Sequence, residues 1–110
     1  MIKVEITYED FMKVEMKTGI IMKAERIAGT AKLVRIEADV GAETRQIIAG
    51  IGDAYSEEEL KNKSIVIVTN LQPKTLKGVQ SNGMLLAATV DGKPVLLTVD
   101  RTVPAGAEIK

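Results

Sequence analysis

The spacing between apolar positions changes several times along the chain, and each change marks an element. Thr7-Tyr-Glu-Asp10 is a helix start: Thr7 stands as N-cap, Asp10 lies three residues on near the positive helix end, and Ile6 and Phe11 are spaced as a hydrophobic staple. This predicts a short helix from about Tyr8 to Val14. From Thr18 the period becomes two, with Ile20, Met22 and Ala24 on one face and Lys23 and Glu25 on the other, as in a strand. Ala28-Gly-Thr30 breaks that run. Val34, Ile36, Ala38 and Val40 then alternate with Arg35, Glu37 and Asp39 in the cleanest half-buried strand of the chain, closed by Gly41.

Gln46 to Ile51 is short and apolar enough for a buried strand, and Ser56-Glu-Glu-Glu59 is a capping box that opens a short helix ending near Lys61. Ile65 to Val68 is a β-branched run of the buried-strand kind. Pro73 and Gly78 bracket a loop. Two further apolar runs, Met84 to Val90 and Val95 to Val99, flank Asp91-Gly92, a strong hairpin signal, and Pro104-Ala-Gly106 makes a last turn. Several strands, two short helices and no βαβ alternation point to an all-β chain folded as a small antiparallel barrel. A five-stranded Greek-key barrel of the oligonucleotide/oligosaccharide-binding (OB) kind and an SH3-like barrel both fit, and strand lengths favour the former.

Length adds that the 110 residues make a single domain, 1–110, and 45% hydrophobic composition is enough for a core without staples. Cysteine and histidine are absent, which removes disulfides, thiolate nucleophiles, imidazole bases and nearly every zinc or iron site. No enzyme, metal or cofactor is therefore expected. The N-terminal MIKVEITYED carries acids in place of a basic region, and no stretch reaches the roughly 20 apolar residues that span a bilayer. The expectation is a soluble, cytoplasmic protein with no membrane partner.

Net charge is zero, from 15 basic and 15 acidic residues, yet the charge is segregated. From Leu60 to Val90 there are four cations, Lys61, Lys63, Lys74 and Lys77, and no acid, whereas Glu37 to Glu59 holds seven acids against the single cation Arg45. A neutral chain can still present a positive face if the fold keeps such a segment together.

Most candidate chemistry has a plainer reading. Gly50-Ile-Gly52 lacks a third glycine, since Tyr55 stands there, and reads as a turn. Ser81 as a nucleophile has no histidine base. Glu57, Glu58 and Glu59 suit the solvated first turn of a helix. The stretch from Asn70 to Met84 differs, because it gathers polar donors and two cations between apolar strands. It is either a hydrated loop or an RNA-binding one. In the second reading Lys74 and Lys77 meet phosphates, Asn70 and Ser81 hydrogen-bond base edges or ribose hydroxyls, and Gly78 and Gly83 permit close backbone approach. Met84 fits equally as the cover of a base face or as core. With only Tyr8, Phe11 and Tyr55 as aromatics, base-after-base stacking is disfavoured.

At these residues the sequence resembles the tRNA-binding OB domain family, found as a free-standing structure-specific tRNA-binding protein and as a C-terminal appendage or separate β-subunit of methionyl-tRNA synthetase. The resemblance runs nearly end to end. It is carried by Tyr8-Glu-Asp-Phe11, Lys13-Val14, Gly19, Ala24-Glu25, Lys32-Leu33, Gln46-Ile47 and Gly50-Ile51. Its strongest part is Asn70-Leu71, Pro73-Lys74, Gly78, Ser81 and Gly83-Met-Leu-Leu-Ala-Ala88, followed by Leu96-Leu97 and Val103-Pro104.

The resemblance implies an OB fold extended at its C-terminus, homodimerisation through elements beyond the barrel, and non-catalytic binding of tRNA by shape, alone or with methionyl-tRNA synthetase. It assigns RNA contact to Lys32, Asn70, Lys74, Lys77, Ser81 and Met84. Thr30-Ala31 replaces the family's common Ser-Asp, and Thr75 stands where many members have a second basic residue, which implies weaker phosphate affinity. A related family of export-associated chaperones shares size, fold and dimer but departs in the Ser-x-Gly-Met and Leu-Ala-Ala region. A dimeric peptide-binding chaperone or adaptor is therefore the alternative.

Overall fold

The computed structural model describes residues 3–110. In chain order the elements are α1 (Tyr8–Met12), β1 (Met16–Arg26), β2 (Val34–Asp39), β3 (Thr44–Ala49), α2 (Glu57–Leu60), β4 (Ser64–Val68), β5 (Lys74–Leu76), β6 (Val79–Ser81), β7 (Met84–Leu85), β8 (Ala87–Val90), β9 (Lys93–Leu96) and β10 (Glu108–Ile109). The main sheet runs β3-β2-β1-β4-β7, with every pairing antiparallel. β1, β2 and β3 form a meander and β4 returns beside β1, which is the Greek-key arrangement. The open edges, β3 and the β6–β7 segment, face each other and nearly close the barrel through Asn82 N–H to Gln46 O at 2.7 Å. With α2 between β3 and β4, this is an OB fold, the barrel that strand lengths favour, carrying the C-terminal extension that the family resemblance implies.

The extension starts with the β8–β9 hairpin, which turns at Asp91 and Gly92 with φ of 51° and 75°. Positive φ at both positions is what a two-residue hairpin turn of the right twist requires. The tail then docks back on its own barrel. Thr18 is the anchor: its N–H donates to Ala107 O, and its hydroxyl donates to Pro104 O and accepts from Ala107 N–H, each at 2.9 Å. β10 continues this contact by pairing with Met16 and Lys17 of β1.

The barrel interior is filled by Ile21, Ile36, Ile47, Leu60, Ile65 and Ile67, all without solvent exposure. Burying each such side chain contributes roughly 1.5–3 kcal/mol, and Leu60 is the one residue that α2 commits to it. β2 shows the expected alternation without a break. The capping box of α2 is complete, with Ser56 and Glu59 satisfying each other's backbone N–H. Among the described residues, no helix is long and apolar enough to cross a membrane.

Four expectations need correction. α1 stops at Met12, because the Lys13 N–H already bonds Asp10 O in a closing turn, and it buries none of its residues. In β1 the register against β2 slips between Ile21 and Lys23, so Met22 is the extra residue of a bulge and is 54% exposed, while Ile21 takes the interior place. The loop between Pro73 and Gly78 is largely a β5–β6 hairpin, turning at Lys77 and Gly78 with φ of 50° and 77°. The run Met84 to Val90 is split into β7 and β8, because Leu86 N–H reaches across to Val66 O at 3.0 Å.

Candidate nucleic-acid interface

The β5–β6 hairpin lies against β3, held by one side chain from each partner. Gln46 donates its amide N–H to Gln80 O at 2.8 Å, and Ile48 N–H donates to the Ser81 hydroxyl at 3.0 Å. Arg45 spans the seam: one guanidinium nitrogen donates to Thr69 O at 2.7 Å and to Asn82 O at 3.2 Å, while Nε pairs with Glu43 at 2.8 Å. One arginine thus fixes the ends of β4 and β6 to β3, saturating carbonyls that an open barrel end would expose.

The hairpin, the segment 70–72 after β4, Ile48 of β3 and Met84 of β7 line a groove of about 560 Å³. Ile48, Leu71, Leu76 and Met84 form its apolar walls, and Asn70, Gln72, Lys74 and Ser81 supply its polar groups. None of the lining residues, all of them described, is acidic. Gly83 belongs to the floor, where a Cβ would come within 3.1 Å of Val68 O.

The structure therefore brings four of the six sequence-selected residues together, Asn70, Lys74, Ser81 and Met84. Lys77 stands at the exposed tip of the same hairpin. Lys32 does not join the groove; it sits in the β1–β2 loop, where its carbonyl accepts from Gly52 N–H at 2.8 Å. Met84 is half exposed, so it is surface and not core.

Two polar members have partners inside the protein. Ser81 is buried, and its hydroxyl accepts from Ile48 N–H and donates to Gly83 O at 3.1 Å. Asn70 accepts from Glu15 N–H at 2.8 Å and donates to Lys13 O at 2.6 Å, tying the segment after α1 to the end of β4. Both shape the groove. Arg45 was not among the sequence-selected residues, although a lone cation in an acidic segment is the kind of signal that marks a structural arginine.

The four cations of the acid-free segment are divided by the fold. Lys61 and Lys63 stand at the start of β4, with the Lys63 ammonium 5.7 Å from the centre of the Tyr55 ring, whereas Lys74 and Lys77 lie beyond its far end. Only the second pair flanks the groove.

Residues 16–108 match the family model described as "Putative tRNA binding domain". The chain belongs to the tRNA-binding domain family. This tRNA-binding domain is 52% identical over 104 residues to methionine-tRNA ligase of Caldanaerobacter subterraneus subsp. tengcongensis, covering 94% of the chain and 16% of the ligase. It is 44% identical over 107 residues to methionine-tRNA ligase of Archaeoglobus fulgidus, covering 97% and 16%. The chain thus spans about one-sixth of these relatives' length.

Among solved structures, a MetRS-related protein from Pyrococcus horikoshii superposes with TM-score 0.93 at 40% identity, covering 98% of this chain and all of that one. A chaperone CsaA from Bacillus anthracis superposes with TM-score 0.91 at 29% identity, covering 97% and 100%. The matched span of the tRNA-binding domain contains the whole groove and excludes α1.

Proposed function

We propose that residues 1–110 act as one non-catalytic tRNA-binding unit of the cytoplasm, which holds tRNA by backbone shape and works with methionyl-tRNA synthetase or alone as a homodimer. The observation that carries this is a hairpin bearing Lys74 and Lys77 beside an acid-free groove, on a member of the tRNA-binding family. Among the described residues neither lysine forms an ion pair, so both ammonium groups are available to phosphates. Lys32 extends the contact from the β1–β2 loop, Met84 contributes an apolar surface, and Asn70 and Ser81 act by holding the wall.

The test is fluorescence anisotropy with unfractionated tRNA against a polythymidine strand of equal charge, across a salt series. Lys74→Ala and Lys77→Ala should each flatten the slope of log K against log salt by about one unit, the contribution of one phosphate contact. Unchanged slopes in both variants, or equal, salt-labile binding to both nucleic acids, would refute the assignment.

The dimer is supported by uncovered apolar surface on and around α1. Ile6, Tyr8, Phe11, Met12 and Val14 are all exposed, and α1 faces β10 across a groove of about 310 Å³. A surface of this kind on a small domain marks a protein contact. Sedimentation velocity at micromolar concentration should show twice the chain mass; a monomer contradicts the dimer without touching the RNA assignment. The chaperone reading is supported by the likeness to CsaA and by the apolar walls of the groove beside the β5–β6 hairpin. Suppression of client aggregation by a protein that ignores tRNA would favour it.

A further inference from the structure

We propose that Asn82-Gly83 is a site of spontaneous covalent modification, where water replaces the Asn82 side-chain amide by an acid at the rim of the groove beside the β5–β6 hairpin. The chemistry stands by itself, and its consequence for RNA rests on the tRNA-binding reading above. The step is ring closure followed by hydrolysis. The Gly83 backbone nitrogen gives its proton to hydroxide and attacks Cγ of Asn82. The new N–Cγ bond closes a succinimide, and the Cγ–Nδ2 bond breaks as ammonia leaves with a proton from water. Water then adds to the ring: opening at Cγ leaves aspartate, and opening at the main-chain carbonyl leaves isoaspartate, whose backbone runs through Cβ and Cγ. Nucleophile and carbon are neighbours in the chain, so the reaction waits only on rotation of the Asn82 side chain and on access to the nitrogen.

The chain has three asparagines, and the fold leaves this reaction open at one of them. The Asn70 amide is held at both ends, by Glu15 N–H and Lys13 O. After Asn62 the nitrogen is occupied, since Lys63 N–H donates to Leu60 O at 3.1 Å. At Asn82, among the described residues, neither the side-chain amide nor the Gly83 N–H has a hydrogen-bond partner, and both residues are partly exposed to water. Glycine is also obligatory at 83. Its φ is +140°, and a Cβ there would come within 3.1 Å of Val68 O and 3.4 Å of Ile67 Cγ2. The fold thus fixes the residue that leaves the nitrogen uncrowded, while the Asn82 side chain is free of any contact that would restrain it.

The product changes both charge and main chain. The segment from Leu60 to Val90 gains its first acid, beside Ser81, the cross-strand partner of Lys74, and between two residues that line an acid-free groove. Asn82 N–H also closes the barrel on Gln46 O at 2.7 Å, and Asn82 O accepts from Arg45 at 3.2 Å. Isoaspartate inserts a carbon between those two groups, so both bonds cannot keep their geometry. The modification therefore acts as an ageing switch that weakens RNA binding.

The test incubates the folded chain at mildly alkaline pH and maps its tryptic peptides by mass spectrometry. Peptide 78–101 should gain the mass of an amide-to-acid exchange, faster as pH rises, with fragmentation placing aspartate and isoaspartate at residue 82. Asn82→Gln, which would need a larger and slower ring, should abolish the gain, and saturating tRNA should slow it. Asn82→Asp should weaken tRNA binding about fivefold at physiological salt and flatten the salt slope by about one unit, the contribution of one phosphate contact, and Asn82→Gln should preserve both. Conversion of residue 82 in urea-unfolded but not in folded protein overturns the site, as does conversion of Asn62 or Asn70 in step with it. An Asn82→Asp variant that binds tRNA like the parent overturns the switch. A parent protein that binds no tRNA is the failure of the functional reading, which the mass gain at residue 82 would survive.

Discussion

Ser81 gives the sharpest test of whether a residue contacts RNA directly or only shapes the surface proposed to bind it. It is 6% exposed, and its hydroxyl accepts from Ile48 N–H at 3.0 Å while donating to Gly83 O at 3.1 Å. Ser81→Ala removes both bonds and leaves the Ile48 N–H buried without a partner. An unsatisfied buried donor costs about 1–3 kcal/mol. For 110 residues an unfolding entropy of ~2.1 cal/mol/K per residue amounts to ~0.23 kcal/mol/K, so the melting temperature should fall by about 4–13 °C. Thermal denaturation followed by circular dichroism reads that shift, and amide hydrogen exchange should accelerate at Ile48. Measured well below both melting temperatures, tRNA affinity should change less than about threefold, because the hydroxyl makes its contacts within the protein. A melting temperature within about 2 °C of the parent, together with a more than tenfold loss of tRNA affinity, would refute this account and make the hydroxyl a direct ligand contact.

Gly106 has φ of +87°, and a Cβ there would meet Val40 O at 2.6 Å and Gly41 Cα at 3.0 Å. Gly106→Ala should therefore cost about 2–5 kcal/mol in urea unfolding, left-handed strain and overpacking together. Gly29→Ala, with φ of +80° but open space, should cost only the strain, about 1–2 kcal/mol; equal costs would show that the tail does not pack as described. The Glu59 carboxyl is held below the ordinary 4.5 by the Ser56 backbone N–H and then by the Ser56 side chain. A lowered folded-state value means that the unfolded chain takes up the proton first as pH falls, so this stabilisation is present above about pH 4.5 and disappears as pH drops through the folded value. An NMR titration should find Glu59 moved back toward 4.5 in Ser56→Ala, and superimposable curves would contradict the capping box.

Local chemistry was legible in the sequence because its partners are neighbours in the chain. Ser56 and Glu59 satisfy each other across three residues, and Asp91-Gly92 adopts the positive φ values of its turn. The alternation of β2 also survives into the structure, since its pairing with β3 runs without a bulge and period two is preserved. The Asn70 to Met84 motif pointed to the family, while the groove that Lys74 and Met84 line became visible only in the fold. What depended on contacts far apart in sequence was decided only by the tertiary structure. The bulge that turns Met22 outward exists only in β1's register against β2. The β5–β6 hairpin has few apolar residues and turns at Lys77-Gly78, so neither its pattern nor its turn stands out until Gln46 and Ile48 hold it against β3. The partners of Ser81 and Asn70 include Ile48 and Glu15, 33 and 55 residues away. A polar side chain in a loop sequence carries no mark of whether it faces solvent or a distant backbone amide. Packing decides that, because a barrel seam buries backbone N–H groups that must find an acceptor.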